Sequence, residues 1–159
     1  MEFAKWCVAT EESVQTHKLR GLGIATGGQA HAIGAIAKAV PGYYTDPKRV
    51  ADLLRKLGKP AAAAHVEQKL PTQASIRSGD LGEILCNAYV YEATPFNLGI
   101  KRLRWKDHRN MSMRGEDVLA FNFDSKSGSL KILKAEVKSR AGMRTAVIDE
   151  ARAALCANS

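Results

Sequence analysis

The spacing of apolar positions changes partway along the chain. Residues 47–57 place Val50, Leu53, Leu54 and Leu57 at helical intervals behind Asp46 and Pro47, a capping residue followed by a proline suited to a first turn. Gly58 ends this helix, and Pro60 opens a shorter one that closes near Pro71. Upstream, the alanine-rich stretch Gln29 to Val40 predicts another helix, broken by Pro41-Gly42. Residues 1–75 are therefore expected to form a helical N-terminal arm. From Ser78 onward the pattern differs. Asp80 to Tyr91 predicts a helix through Leu81, Ile84, Leu85, Ala88 and Tyr89, stopped by Thr94-Pro95. Three strands should follow, over Leu98–Trp105, Asp117–Phe123 and Leu130–Lys138. A polar loop, Lys106–Arg114, separates the first two, and a turn at Asp124–Gly128 joins the last two as a hairpin. Ala146–Leu155 predicts a closing helix. The period runs from 3.6 to 2 and back, the mark of a mixed α/β unit spanning residues 76–159.

This order of elements places four chemically useful side chains. Glu83 lies in the first helix of the unit, Asp117 opens the second strand, and Glu136-Val137-Lys138 ends the third. Residues two apart on a strand share a face, so Glu136 and Lys138 project together. In an antiparallel hairpin the start of one strand lies beside the end of the other, which makes Asp117 and Glu136 neighbours. Adjacent carboxylates repel, and a hard divalent cation relieves that repulsion through oxygen ligands. Such an ion polarises a phosphate and acidifies a bound water, while a neighbouring lysine offsets developing charge or orients the water. Glu116 points to the opposite face and stays outside the set. A surface Glu136–Lys138 pair and a turn-capping Asp117 are the plain structural alternatives.

Charge sharpens the picture. The net charge is +8, and residues 101–144 carry twelve Lys or Arg against five Asp or Glu, +7 within that one segment. Concentrated positive charge is what a polyanion partner requires. Arg102, Arg104, Lys106, Arg109, Arg140 and Arg144 are the candidate contacts to a nucleic-acid backbone, with Trp105 able to stack on a base or to serve the core. Other signals exclude more than they suggest. Cys7, Cys86 and Cys156 lack metal-ligand spacing, as do the four histidines. Gly21-Leu22-Gly23 and Gly27-Gly28 lack the Lys-Ser/Thr of a phosphate loop and read as turns. No apolar run is long enough to span a membrane, and the N-terminus lacks the basic and apolar regions of a signal peptide, so a cytoplasmic location is expected.

Gly82-Glu83, Gly115-Glu116-Asp117 and Glu136-Val137-Lys138, in that order, resemble the PD-(D/E)XK nuclease superfamily. Within it, four stretches resemble the nuclease-subunit family of the Hachiman anti-phage defence system. They are Ser78 to Leu85, the basic run Lys101 to Trp105, Arg114 to Asp117, and Glu136 to Lys138. The likeness covers roughly residues 75–145. It implies a restriction-endonuclease-like core of helix, three-stranded mixed sheet and helix. It also implies catalysis by Glu83, Asp117, Glu136 and Lys138. Glu83, Asp117, Glu136 and the Val137 carbonyl would hold Mg²⁺, or alternatively Mn²⁺. The activity implied is a metal-dependent nuclease that hydrolyses DNA phosphodiester bonds, working in antiviral defence beside a helicase subunit; whether it cuts as an endonuclease or an exonuclease stays open. That superfamily has a further strand after the closing helix, whereas the sequence reaches only Ser159. A truncated C-terminus, or a strand supplied by residues 1–75 or by a partner, is the corresponding expectation. The rival reading is a non-cleaving nucleic-acid-binding or docking module of a larger complex.

Overall fold

The computed structural model describes residues 1–98, 100–142 and 144–157. It is a mixed α/β structure with two small antiparallel sheets, divided into two compact units at Val40/Pro41. The boundary expected near residue 75 therefore lies at residue 40 instead.

The first unit corrects the helical-arm expectation. Its main feature is a hairpin of β1 (Cys7–Val14) and β2 (His17–Ile24), paired from Cys7 opposite Ile24 to Val14 opposite His17. The turn rests on Gln15, whose φ is +55°. Nearly every residue of both strands is exposed, so no apolar alternation exists in the sequence to betray them. Gly28 leads into helix α1 (Gln29–Ala39). A Cβ on Gly28 would stand 2.9 Å from the Trp6 carbonyl oxygen and 3.0 Å from that of Ala25, so only glycine fits the turn. Phe3 and Trp6 stack at 5.0 Å and are buried, as is Ala32.

The second unit begins with the short helix α2 (Pro41–Tyr44) and continues into α3 (Pro47–Lys69). Asp46 accepts a hydrogen bond from the Lys48 N–H and so caps α3 as its sequence requires. Gly58, at φ +81°, breaks α3 into the two helical pieces that the glycine and Pro60 predict. Helix α4 (Ala74–Ala93) buries Asp80, Glu83, Ile84, Asn87, Ala88 and Val90 along one face. A three-stranded antiparallel sheet follows, ordered β3 (Asn97–Leu98), β4 (Val118–Asp124), β5 (Ser129–Ala135). It is wholly antiparallel rather than mixed. Val118 lies opposite Ala135 and Asp124 opposite Ser129, the hairpin register that the turn residues dictate. Helix α5 (Thr145–Ala157) closes the described chain. Among the described residues no strand follows it, and β1 and β2 pair only with each other. No helix among them is long and apolar enough to cross a membrane.

Two strand expectations need correction. Of the expected strand Leu98–Trp105, Leu98 ends the two-residue strand β3, Arg102–Trp105 forms a 3₁₀ turn, and residue 99 lies outside the described residues. Leu103 is buried at 2% exposure while Arg102 and Lys106 reach acids elsewhere, so tertiary anchors override an extended run. The third strand stops at Ala135 rather than Lys138, because the Val137 N–H donates to the Asp117 carboxylate instead of a strand carbonyl.

One buried polar triad braces this unit. The Lys106 ammonium donates to both Asp80 oxygens at 3.0 and 2.7 Å, and the Tyr44 hydroxyl donates to Asp80 at 2.7 Å. The side chains of Lys106 and Asp80 are only 2% and 8% exposed. Removing one member of such a pair strands a buried charge. Lys106→Leu is expected to cost about 3–5 kcal/mol by urea denaturation, with much of the loss recovered in the Asp80→Leu/Lys106→Leu double variant.

Candidate active site

Helix α4 supplies the first acid. Asp80 and Glu83 are three residues apart and so share its buried face, and Glu83 is 5% exposed. Its carboxylate is met by Arg102, whose Nε donates to Glu83 Oε2 at 2.9 Å and whose Nη2 lies 2.8 Å from the same oxygen as an ion pair. The same Nη2 bonds Asp117 Oδ1. Nη1 donates to the carbonyl of Gly115 at 3.1 Å. Gly115, at φ +88°, shapes the turn that brings this carbonyl and Asp117 to the guanidinium. The other Asp117 oxygen accepts the Val137 N–H at 2.8 Å. One cation thus gathers two acids, and one acid ties the open end of the β4–β5 hairpin.

Burial pushes the Glu83 carboxyl above its ordinary range. Arg102 opposes that shift, while the nearby charges of Asp117 and Asp80 add to it. The Arg102 guanidinium is in turn held more firmly protonated, because its bonds to the two acids outweigh the effect of burial. A small cleft of about 110 Å³ opens here, lined by Gly79, Asp80, Glu83, Arg102, Asp117 and Val137 among others.

Glu136 and Lys138, in the segment just after β5, pair with each other at 2.6 Å. They lie on either side of Val137, and their side chains are 14% and 24% exposed. Val137 and Ser139 pack on α4 at Gly82, and the Ser139 and Ser78 hydroxyls are 2.7 Å apart. The structure therefore joins Glu83, Asp117 and Val137 around Arg102, and sets the Glu136–Lys138 pair beside them in sequence but off the lining of the cleft. Glu116 turns to Lys134 at 3.0 Å, outside this set.

The basic residues divide. Arg102 is spent on the two acids, and Lys106 is buried against Asp80, so both cations act inside the protein rather than on its surface. Arg104 donates to the Gly42 carbonyl at 2.7 and 3.2 Å and keeps a quarter of its side chain exposed. Arg109 is half-buried, while Arg140 and Arg144 are exposed, Arg140 lying 3.6 Å from Glu150. Asp80, Tyr44 and the bridging role of Arg102 escape the sequence pattern. The one available signal was Asp80 three residues before Glu83 on the same helix face.

Among the described residues no three His, Cys, Asp or Glu side chains gather into a metal-binding group. Mg²⁺, however, is commonly held by one or two carboxylates with water and substrate phosphate completing its shell. Glu83 and Asp117 already share one cation position and present hard oxygen donors, so the donor set fits such an ion in place of the guanidinium.

The second unit is thus a mixed α/β structure in which an arginine joins two carboxylates, with a Glu-x-Lys segment just beyond β5. The HamA family model matches residues 1–158, and the chain belongs to that family. It is 26% identical over 156 residues to the Hachiman protein HamA of Bacillus cereus, an alignment covering 94% of this chain and 55% of that relative. The chain thus spans about half the length of the curated relative it matches.

The packing of α4 on the Glu136–Lys138 segment can be tested at two glycines. A Cβ at Gly82 would meet Val137 Cγ1 at 3.0 Å, whereas one at Gly79 would meet nothing within 4 Å. Gly79→Ala is expected to stabilise the helix by about 0.5–1 kcal/mol. Gly82→Ala should come out about 1–3 kcal/mol worse than Gly79→Ala in thermal or urea unfolding.

Proposed function

We propose that the chain carries the nuclease site of a Hachiman-type defence protein, a metal-dependent DNA phosphodiesterase of the PD-(D/E)XK type with a restriction-endonuclease-like core. The observation that carries this reading is the convergence of Glu83 and Asp117 on one cation position, with Glu136-Val137-Lys138 hydrogen-bonded to the second of those acids. Membership of the HamA family and the Hachiman name of the Bacillus cereus relative support the defence role. A helicase subunit is the partner we propose.

Glu83 and Asp117 would hold Mg²⁺ or Mn²⁺, with the Val137 carbonyl and Glu136 as further oxygen donors. An ion bound there supplies Lewis-acid polarisation of the phosphate and a more acidic bound water. The chain's own groups do the rest. Lys138, released from Glu136, orients that water and offsets the charge gathering on the phosphate oxygens. Arg102, once displaced from the acids, becomes a second cation facing the phosphate. Arg109, Arg140 and Arg144 fix the backbone without reading sequence.

One observation favours the rival, a non-cleaving binding module: the guanidinium of Arg102 fills the position a metal would take. Two measurements separate the readings. With Mg²⁺ and plasmid or linear DNA, cleavage by the native chain is expected to fall by about a hundredfold or more in Glu136→Ala and in Lys138→Ala, with DNA binding retained. No cleavage by the native chain, alone or with its copurifying partner, would leave the binding module. The second measurement reads metal binding by stability. Arg102→Ala is expected to unfold at lower temperature than the native chain in EDTA, and to gain more from added Mg²⁺, because two unpaired acids then bind the ion and binding stabilises the folded state. An equal Mg²⁺ response in both proteins would argue against a shared cation position.

A further inference from the structure

The 3₁₀ turn that sends Arg102 to the acids sends its next residues elsewhere. Arg104 and Trp105 line a second, larger cleft of about 490 Å³, entirely within the second unit. Arg49, His65 and Lys69 from α3 line it too, with Lys101 from the segment before the turn. Four permanent cations therefore face one carboxylate, that of Asp46, a balance of +3. Asp46 is itself engaged, capping α3 through one oxygen and lying 3.9 Å from Arg104 through the other. Among the described residues no carboxylate pairs with Arg49, Lys69 or Lys101.

Two of these cations are held in place. The Gly42 carbonyl fixes Arg104 through two hydrogen bonds, and Lys101 sits 4.5 Å over the Tyr43 ring. Burial, and then the charge of Arg104, lower the Lys101 pKa, as expected of an ammonium whose positive neighbourhood is not neutralised. Trp105 is 73% exposed, the most solvent-accessible of the exposed large apolar side chains. A wide indole left in water beside fixed cations makes a stacking platform next to phosphate-binding groups.

We infer that this cleft binds a nucleic-acid strand, phosphates on Arg49, Lys69, Lys101 and Arg104 and a base on Trp105. No residue lines both this cleft and the acid cleft, and the turn Arg102–Trp105 and the Tyr44–Asp80 hydrogen bond join them. The inference rests on the nucleic-acid reading of this protein but not on cleavage. Phosphate beside a stacked base is also the chemistry of a free nucleotide, and the test separates the two.

The experiment titrates the full chain with single-stranded oligothymidylate in EDTA, which keeps hydrolysis out of the measurement. Trp105 and the buried Trp6 are the only tryptophans, so the exposed emission reports on the cleft. Quenching of that emission is expected as the strand binds. Arg49→Glu and Lys69→Glu are each expected to weaken binding about tenfold or more, with a reduced salt dependence. Read instead by anisotropy of a fluorescein-labelled oligothymidylate, Trp105→Ala should weaken binding about tenfold, and Trp105→Phe should restore most of the loss. Arg49→Gln and Lys69→Gln, checked by circular dichroism, keep the test valid if a charge reversal misfolds. Affinity for the oligonucleotide far above that for thymidine monophosphate assigns a strand; equal affinities assign a nucleotide and overturn the strand. Unchanged affinity in the folded Arg49, Lys69 and Trp105 variants would overturn the site altogether. Loss of cleavage in Glu136→Ala bears on the nuclease reading alone and leaves this inference standing. Unchanged binding by the cleft variants, together with cleavage by the native chain, removes the inference and leaves the nuclease reading intact.

Discussion

A single guanidinium holds the candidate site together. Glu83 on α4 and Asp117 at the start of β4 come from segments more than thirty residues apart, and both are drawn onto Arg102. Two carboxylates so enclosed would repel each other strongly in a medium poorer than water at screening charge. The arginine removes that repulsion and also satisfies the Gly115 carbonyl, so helix, 3₁₀ turn, glycine turn and hairpin are fixed by one side chain. Burial still pushes Glu83 toward its neutral form, which shows how much the compensation has to offset. Any divalent ion entering between the acids competes with a cation that the chain already supplies.

A second buried cation does similar work nearby without taking part in the site. Lys106 neutralises Asp80, and the Tyr44 hydroxyl completes the acceptor shell of that acid. Asp80 and Glu83 thus leave one face of α4 toward two different cations, Lys106 and Arg102, each contributed by the short stretch 102–106. That stretch cannot remain a strand. Leu103 must be buried while its neighbours diverge, and the tight turn satisfies both demands. The turn also directs Arg104 and Trp105 away from the acids, toward the basic cleft formed with α3.

Much of the second unit was legible from residues alone. The Asp46 cap, the Gly58 break, the helix through Ile84 and Ala88, and the hairpin around Asp124–Gly128 all follow from local chemistry and periodicity. Hairpin register then brings Asp117 to the end of the third strand, where its carboxylate accepts the Val137 N–H. The exposed hairpin of the first unit was not legible, because strands polar on both faces carry no alternation. The Hachiman part of the sequence resemblance agrees with membership of the HamA family.

Capping, turn formation and periodicity are local properties of the chain, so residues alone place Glu83 on a helix and Asp117 beside the far end of a hairpin. Only the tertiary structure decided where the cations go. Six basic residues look alike as a charged run, yet Arg102 neutralises two acids, Lys106 is buried against a third, and Arg104 is fastened beside an exposed tryptophan. The physical reason is that a long, flexible cation takes whichever anion or carbonyl folding brings within reach, and that choice depends on elements distant in sequence.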